Sequence, residues 1–236
     1  MAELMPGLDP VQLKFFGGLI LILLLLVGLA ALVGTQEPQP KAGAMLSLEL
    51  PRCADDVKAI VGDEGDERRN VMRARLVHDS LFFIPGYTFF FLAASWLLSQ
   101  RTPWSGFIWL GLAAGLCALG VAVCDYVENR HILALLNAPL DQVRATQSMV
   151  DHTRYFSLAK WALSFLTIGL LSALFLLGRP WYVQAVGVLY LLTALVGLVG
   201  LFHNPILEKA LGGVLLCIPA LAILLLAATQ KFLDGF

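Results

Sequence analysis

The chain of 236 residues is 58% hydrophobic and only 14% charged, with a mean hydropathy of +0.79, where soluble domains carry about 25% charged residues. Its formal net charge of −1 offers no basic face for nucleic acid. The missing charge is concentrated in apolar runs of about 20 residues, the length that crosses a ~30 Å hydrocarbon core as a helix, so an ordinary soluble domain is excluded.

In chain order the first run is FFGGLILILLLLVGLAALVG, within 14–34. A cleaved secretion signal has a basic n-region and an apolar core of about 7–15 residues. Here the tail before the run carries Glu3 and Asp9 against Lys14, so a retained helix is expected. The loop 35–79 follows. TQEPQPKAGA reads as a linker, and LSLELPRCADDVKAIVG as a short amphipathic helix. In that helix Pro51 suits the first turn, Val57, Ile60 and Val61 share one side, and Gly62 is the stop. A second helix is expected to start near Glu67 and run into the apolar span 80–99, kinked at Pro85-Gly86. Further spans are expected at 104–125, 156–178, 181–202 and 206–228. The fold expected is all-α: a polytopic transmembrane helical bundle of about six transmembrane helices, forming a single membrane domain over 1–236.

Lys and Arg on short loops set orientation. With six helices, one side collects Lys41, Arg52, Lys58, Arg68, Arg69, Arg73, Arg75, Arg130, Arg144, Arg154, Lys160 and Lys209, and the other Lys14, Arg101, Arg179 and Lys231. This asymmetry makes 35–79 and 126–155 cytoplasmic and puts both termini outside. The four cysteines, Cys53, Cys117, Cys124 and Cys217, lack metal-site spacing and read as small hydrophobes.

The polar residues that must be explained sit at the cytoplasmic ends. In the third helix Gly111, Gly115, Ala118 and Ala122 step along one face, which lets a neighbouring backbone approach closely. The same stepping reaches Asp125 and Asn129, with Glu128 one step around. The fourth helix presents Thr153, Ser157, Lys160, Ser164 and Thr167 at matching spacing. An ionisable residue within a span pairs with another or lines a wet cavity, so Lys160 is expected to meet Asp125 or Glu128. Asp79, with Arg75 one turn before it, is placed to look toward the same acids.

This constellation admits two readings. It is a structural clamp closing the cytoplasmic end of the bundle, or it is a site, since His78, His131, His152 and His203 fall on the same side and histidine with carboxylates can bind metal or move protons. A proton or ion path along the Ser/Thr stripe is a third possibility. No HExxH motif or nucleophile elbow is present, and neither a metal nor a cofactor is expected.

Taken together, LSLELPRCADDVKAIVG, HDSLFFIPGYTFF, CDYVENRHILALL and YFSLAKWAL resemble a loose group of uncharacterised small bacterial polytopic membrane proteins with a D-x-x-E-N helix end. The resemblance covers about residues 46–175. It implies a bacterial cytoplasmic (inner) membrane location and marks Asp79, Tyr87, Asp125, Glu128, Asn129 and Lys160 as the residues to watch. The function expected is that of a non-enzymatic accessory or scaffold subunit, partnered by the lipid bilayer and by other membrane subunits. The alternatives are a membrane enzyme acting on a lipid through the Asp/Glu/His cluster, and a small transporter. The last two spans read as almost pure lipid or partner surface.

Overall fold

The computed structural model describes residues 44–62, 66–100, 106–138, 143–177 and 181–203, with isolated positions at 206, 207, 210, 213, 214 and 217. The expected first span at 14–34, the linker 35–43, both chain termini and most of 206–228 lie outside the described residues. Every regular element described is helical: α1 (Ala44–Glu49), α2 (Ala54–Val61), α3 (Glu67–His78), α4 (Ile84–Gln100), α5 (Gly106–Asn137), α6 (Val143–Leu176) and α7 (Trp181–Gly200). A π-helical turn, Asp79–Phe83, joins α3 to α4. Four stretches are long and apolar enough to cross a membrane: Glu67–Ser99, Phe107–Asn137, Gln147–Leu176 and Val183–Gly200.

Two of these helices outrun their expected spans. α5 has 32 residues and α6 has 34, about 50 Å each at a rise of ~1.5 Å per residue. The polar sequences YVENRHILALL and VRATQSMVDHTRY contain no proline or glycine, so nothing in the backbone chemistry ends the helix where the apolar run ends.

The described chain forms two compact units, and α4, α5 and α6 each run through both. One unit comprises 89–100, 106–119, 162–177 and α7 with the positions after it. Its core includes Phe90, Leu97, Ala114, Ile168, Leu171, Phe175, Tyr190 and Ala194. Close approach is built on glycine here: a Cβ on Gly197 would run into the Phe165 ring, and one on Gly111 into Ser99. α7 corrects the expectation of a helix that is almost pure lipid or partner surface. Gly187, Tyr190, Thr193, Ala194, Gly197 and Gly200 are buried along one face, while Val188, Leu191, Leu192, Leu195 and Val199 are exposed. Tyr190 Oη–H donates to the Cys217 carbonyl at 2.9 Å, and Ser172 Oγ–H to that of Gly187 at 2.9 Å.

The second unit comprises 44–62, 66–88, 120–138 and 143–161, and it carries Asp79, Tyr87, Asp125, Glu128, Asn129 and Lys160. Its core joins Leu48, Val57, Val61, Met72, Leu76, Ile132, Leu135, Leu136 and Val150. Burying a side chain of this kind fully is worth about 1.5–3 kcal/mol, so the segment before α3 is packed in by its own leucines and valines. α2 starts at Ala54 rather than at Pro51. Asp56 accounts for this start, because its carboxylate accepts the backbone N–H groups of Arg52 (2.8 Å) and Cys53 (3.3 Å). α2 stops at Gly62, whose φ of 77° lies in the left-handed region that a residue without a Cβ enters freely. At the far end of α5, Arg69 and Arg73 both donate to the Leu136 carbonyl, at 3.2 and 3.1 Å. They place positive charge where the helix dipole is negative.

Just before Pro85, where a kink is expected, the helix takes a π turn. Ile84 N–H bonds to the Asp79 carbonyl, five residues back. In that register the Ser80 carbonyl would next receive an N–H from residue 85, and proline has none. Tyr126 Oη–H supplies the missing donor at 2.9 Å.

Candidate functional site

Burial along α5 repeats with the helical period. Gly111, Ala114, Ala118, Ala122, Asp125, Glu128, Asn129 and Ile132 are buried, whereas Leu112, Leu116, Leu119, Val123, Tyr126 and Arg130 are exposed. The polar residues thus continue a packing face instead of meeting lipid. On α6, Thr153, Ser157, Lys160 and Thr167 are buried and Ser164 is half-buried. Thr153 and Ser157 return hydrogen bonds to backbone carbonyls one turn earlier, at 2.9 Å each.

Lys160 Nζ is the centre of the site. It lies 3.2 Å from Asp125 Oδ1, 2.9 Å from Glu128 Oε2 and 3.1 Å from Glu49 Oε2. The side chains are almost dry: 7% exposed for Lys160, 9% for Asp125, none for Glu128 and 14% for Glu49. An ammonium has three N–H groups, and three carboxylates surround this one. Asp125 is held on its other oxygen by Tyr87 Oη–H at 2.8 Å. Asn129 Nδ2 donates to Asp79 Oδ2 at 2.7 Å and to Ser80 Oγ at 3.1 Å. All six residues marked in the sequence therefore lie in one polar layer contributed by the π turn, α4, α5 and α6.

Glu49 is the member that sequence reasoning missed. It ends α1, and its carboxylate also accepts Trp161 Nε1–H at 3.1 Å, while its backbone carbonyl accepts Ser157 Oγ–H at 2.6 Å. Leu46, Leu48 and Leu50 on either side of it are buried. The segment 46–50 is therefore a strap drawn over Lys160 by apolar anchors and polar contacts together. His78, His131 and His152 make other contacts. His78 rests on Phe82, with ring centroids 4.9 Å apart, and His131 stacks on His152 and Phe156 at 5.8 and 5.6 Å. Among the described residues no three His, Cys, Asp or Glu side chains are arranged to hold a metal ion.

The layer can hold charge and fix helices, and through Glu49 it is tied to the short helix α1. No protein-family model matches the chain, and no curated protein or solved structure matches it significantly.

Proposed function

We propose that this is a non-enzymatic integral membrane protein, an accessory or scaffold subunit of a bacterial inner-membrane assembly, with its polar layer at the cytoplasmic side and both termini outside. The observation that carries the reading is that Lys160 Nζ stands within 3.2 Å of three carboxylates at once. Groups that a catalytic or conducting site would keep available are engaged with one another. The stacking of His131 away from the acids takes support from a lipid-cleaving Asp/Glu/His cluster. The broad apolar exposure of α7 and of Trp96 and Trp109 on α4 and α5 suits contact with lipid and with neighbouring membrane subunits.

In this reading the strap and α2 form the docked, amphipathic part of the first cytoplasmic loop. The test is purification from native membranes in mild detergent. A membrane protein present at constant stoichiometry through successive columns, dissociated by substitutions on the exposed face of α7, is the expected result. A partner-free protein that turns over lipid, with the turnover abolished by Glu128→Gln, would replace the scaffold reading with the enzymatic one.

A further inference from the structure

The contacts around Lys160 leave a charge imbalance that packing alone does not resolve. Three carboxylates converge on one ammonium in an enclosure where no side chain is more than 14% exposed. Asp79, through Asn129, brings a fourth acid alongside. If every acid were ionised, at least two negative charges would stand uncompensated among the described residues, in a poorly solvated place. Like charges in such a place do not all ionise; one gives way by holding a proton, or a cation enters.

We propose that the Glu49–Asp125–Glu128–Lys160 cluster is a proton-binding site, in which the carboxyl groups share at least one proton at neutral pH and loss of that proton loosens the Glu49 strap. A proton fits better than a metal ion for a geometric reason. The point on which the carboxylate oxygens converge is occupied by Lys160 Nζ, so a metal would have to displace the ammonium. A proton needs only an oxygen edge, and Glu128 Oε2 offers one: fully buried, it lies 2.9 Å from Nζ without an aligned hydrogen bond. The proton belongs to the coupled set and not to one acid.

The groups facing this set from each surrounding element are Glu49 on α1, Asp79 on the π turn, Tyr87 on α4, Cys124, Asp125, Glu128 and Asn129 on α5, and Lys160 and Trp161 on α6. Lys160 is the cation among them. Asp125 and Glu128 are fixed on a 32-residue helix, whereas Glu49 ends a helix of six residues. When the set gains negative charge, Glu49 is the acid that can move away, and its departure uncovers Lys160. Protonation is thereby read out as docking of the loop segment, which goes beyond the scaffold reading and does not depend on it.

The experiment uses the full chain in detergent micelles. Infrared spectroscopy across a pH titration should show a protonated-carboxyl stretching band at neutral pH that fades toward alkaline pH. In parallel, the protection of the amides of residues 46–50, taken relative to the base-catalysed rate of an unstructured amide at each pH, should fall about tenfold or more as a local opening. Glu128→Gln should weaken the band; if that variant does not fold by circular dichroism, Glu49→Gln, at the most exposed acid, carries the same expectation. Lys160→Met should strengthen the band, because removal of the ammonium obliges the acids to retain more protons. The proposal is overturned if no such band exists at neutral pH or if the band is indifferent to all three substitutions. It is equally overturned if sodium or a divalent cation, at fixed pH, removes the band and raises the melting temperature, since that marks a metal-cation site.

Discussion

Ser157 Oγ lies 2.6 Å from the backbone carbonyl of Glu49 and 2.9 Å from the Thr153 carbonyl of its own helix, so its single O–H is shared between the two and ties the loop strap to α6. The carbonyl it satisfies ends α1, where the last carbonyls of a helix have no partner within the helix. With Trp161 Nε1–H on the Glu49 carboxylate, the strap is held by both its main chain and its side chain.

That relationship predicts a local effect. Ser157→Ala should speed amide exchange of residues 46–50, and Trp161→Phe should do the same more weakly, with α5 and the rest of α6 left protected. A net hydrogen bond is worth about 0.5–1.5 kcal/mol, so acceleration of a few-fold to about tenfold is expected. Unchanged exchange in both variants would mean that Leu46, Leu48 and Leu50 hold the strap unaided.

The face of α5 was legible before any coordinates because its signal is local. Small residues at 111, 115, 118 and 122 lead by helical stepping onto Asp125 and Asn129, and a lysine on a small-polar stripe in an apolar helix needs an acid nearby. Glu49 was not legible for the complementary reason. In the alternation of LSLELP it takes the polar position, which reads as solvent-facing, and only docking of Leu46, Leu48 and Leu50 turns it toward Lys160. The histidines failed differently. Sharing a side of the chain suggested a cluster, but ring stacking on aromatic neighbours decides where His131 goes. Pro85 announced an irregularity, while the donor that serves the Ser80 carbonyl in the π turn comes from Tyr126, forty-odd positions away, and no local rule supplies it.

The Ser80 carbonyl gives a second prediction. Tyr126→Phe removes its donor, at a cost of about 1 kcal/mol where water can substitute and more where lipid surrounds the turn. Pro85→Ala restores a backbone N–H within reach of the same carbonyl. In a double-mutant cycle followed by thermal melting in detergent, Tyr126→Phe should therefore cost less in the Pro85→Ala background than in the wild type. Additive effects would show that Tyr126 stabilises the turn by some other means.

The start of α3 carries a pH prediction. Asp66 accepts from Arg68 at its backbone N–H (2.9 Å) and guanidinium (2.7 Å), and this bonding holds its carboxyl at about 2 against an ordinary 3.8. The folded value is the lower one, so the contribution to stability is complete above the unfolded value and is lost as pH falls through about 2. Arg68→Gln should move the Asp66 titration, followed by carboxyl NMR, upward toward the ordinary value and let the first turn of α3 exchange faster. An unmoved titration would exclude Arg68 as the cause.

The presence of Glu49 also changes what breaking the clamp should do. With one acid and one lysine, removing either partner would orphan the other, at about 3–5 kcal/mol for a buried pair. Lys160 has three acids, and the two sides are no longer equivalent. Asp125→Asn or Glu128→Gln still leaves the ammonium two carboxylates and removes the repulsion between the lost charge and those that remain. Each should therefore cost less than the ~1.5–3 kcal/mol of a hydrogen bond to a charged group. Lys160→Met leaves three converging acids without a cation and should cost the most, near the 3–5 kcal/mol of a broken pair. Adding Glu128→Gln to Lys160→Met should then raise the melting temperature, because in that background the acid is only a liability. If Lys160→Met proves as stable as the wild type, or if the second substitution lowers melting further, the acids are not held together by Lys160 and the clamp is not what stabilises this layer.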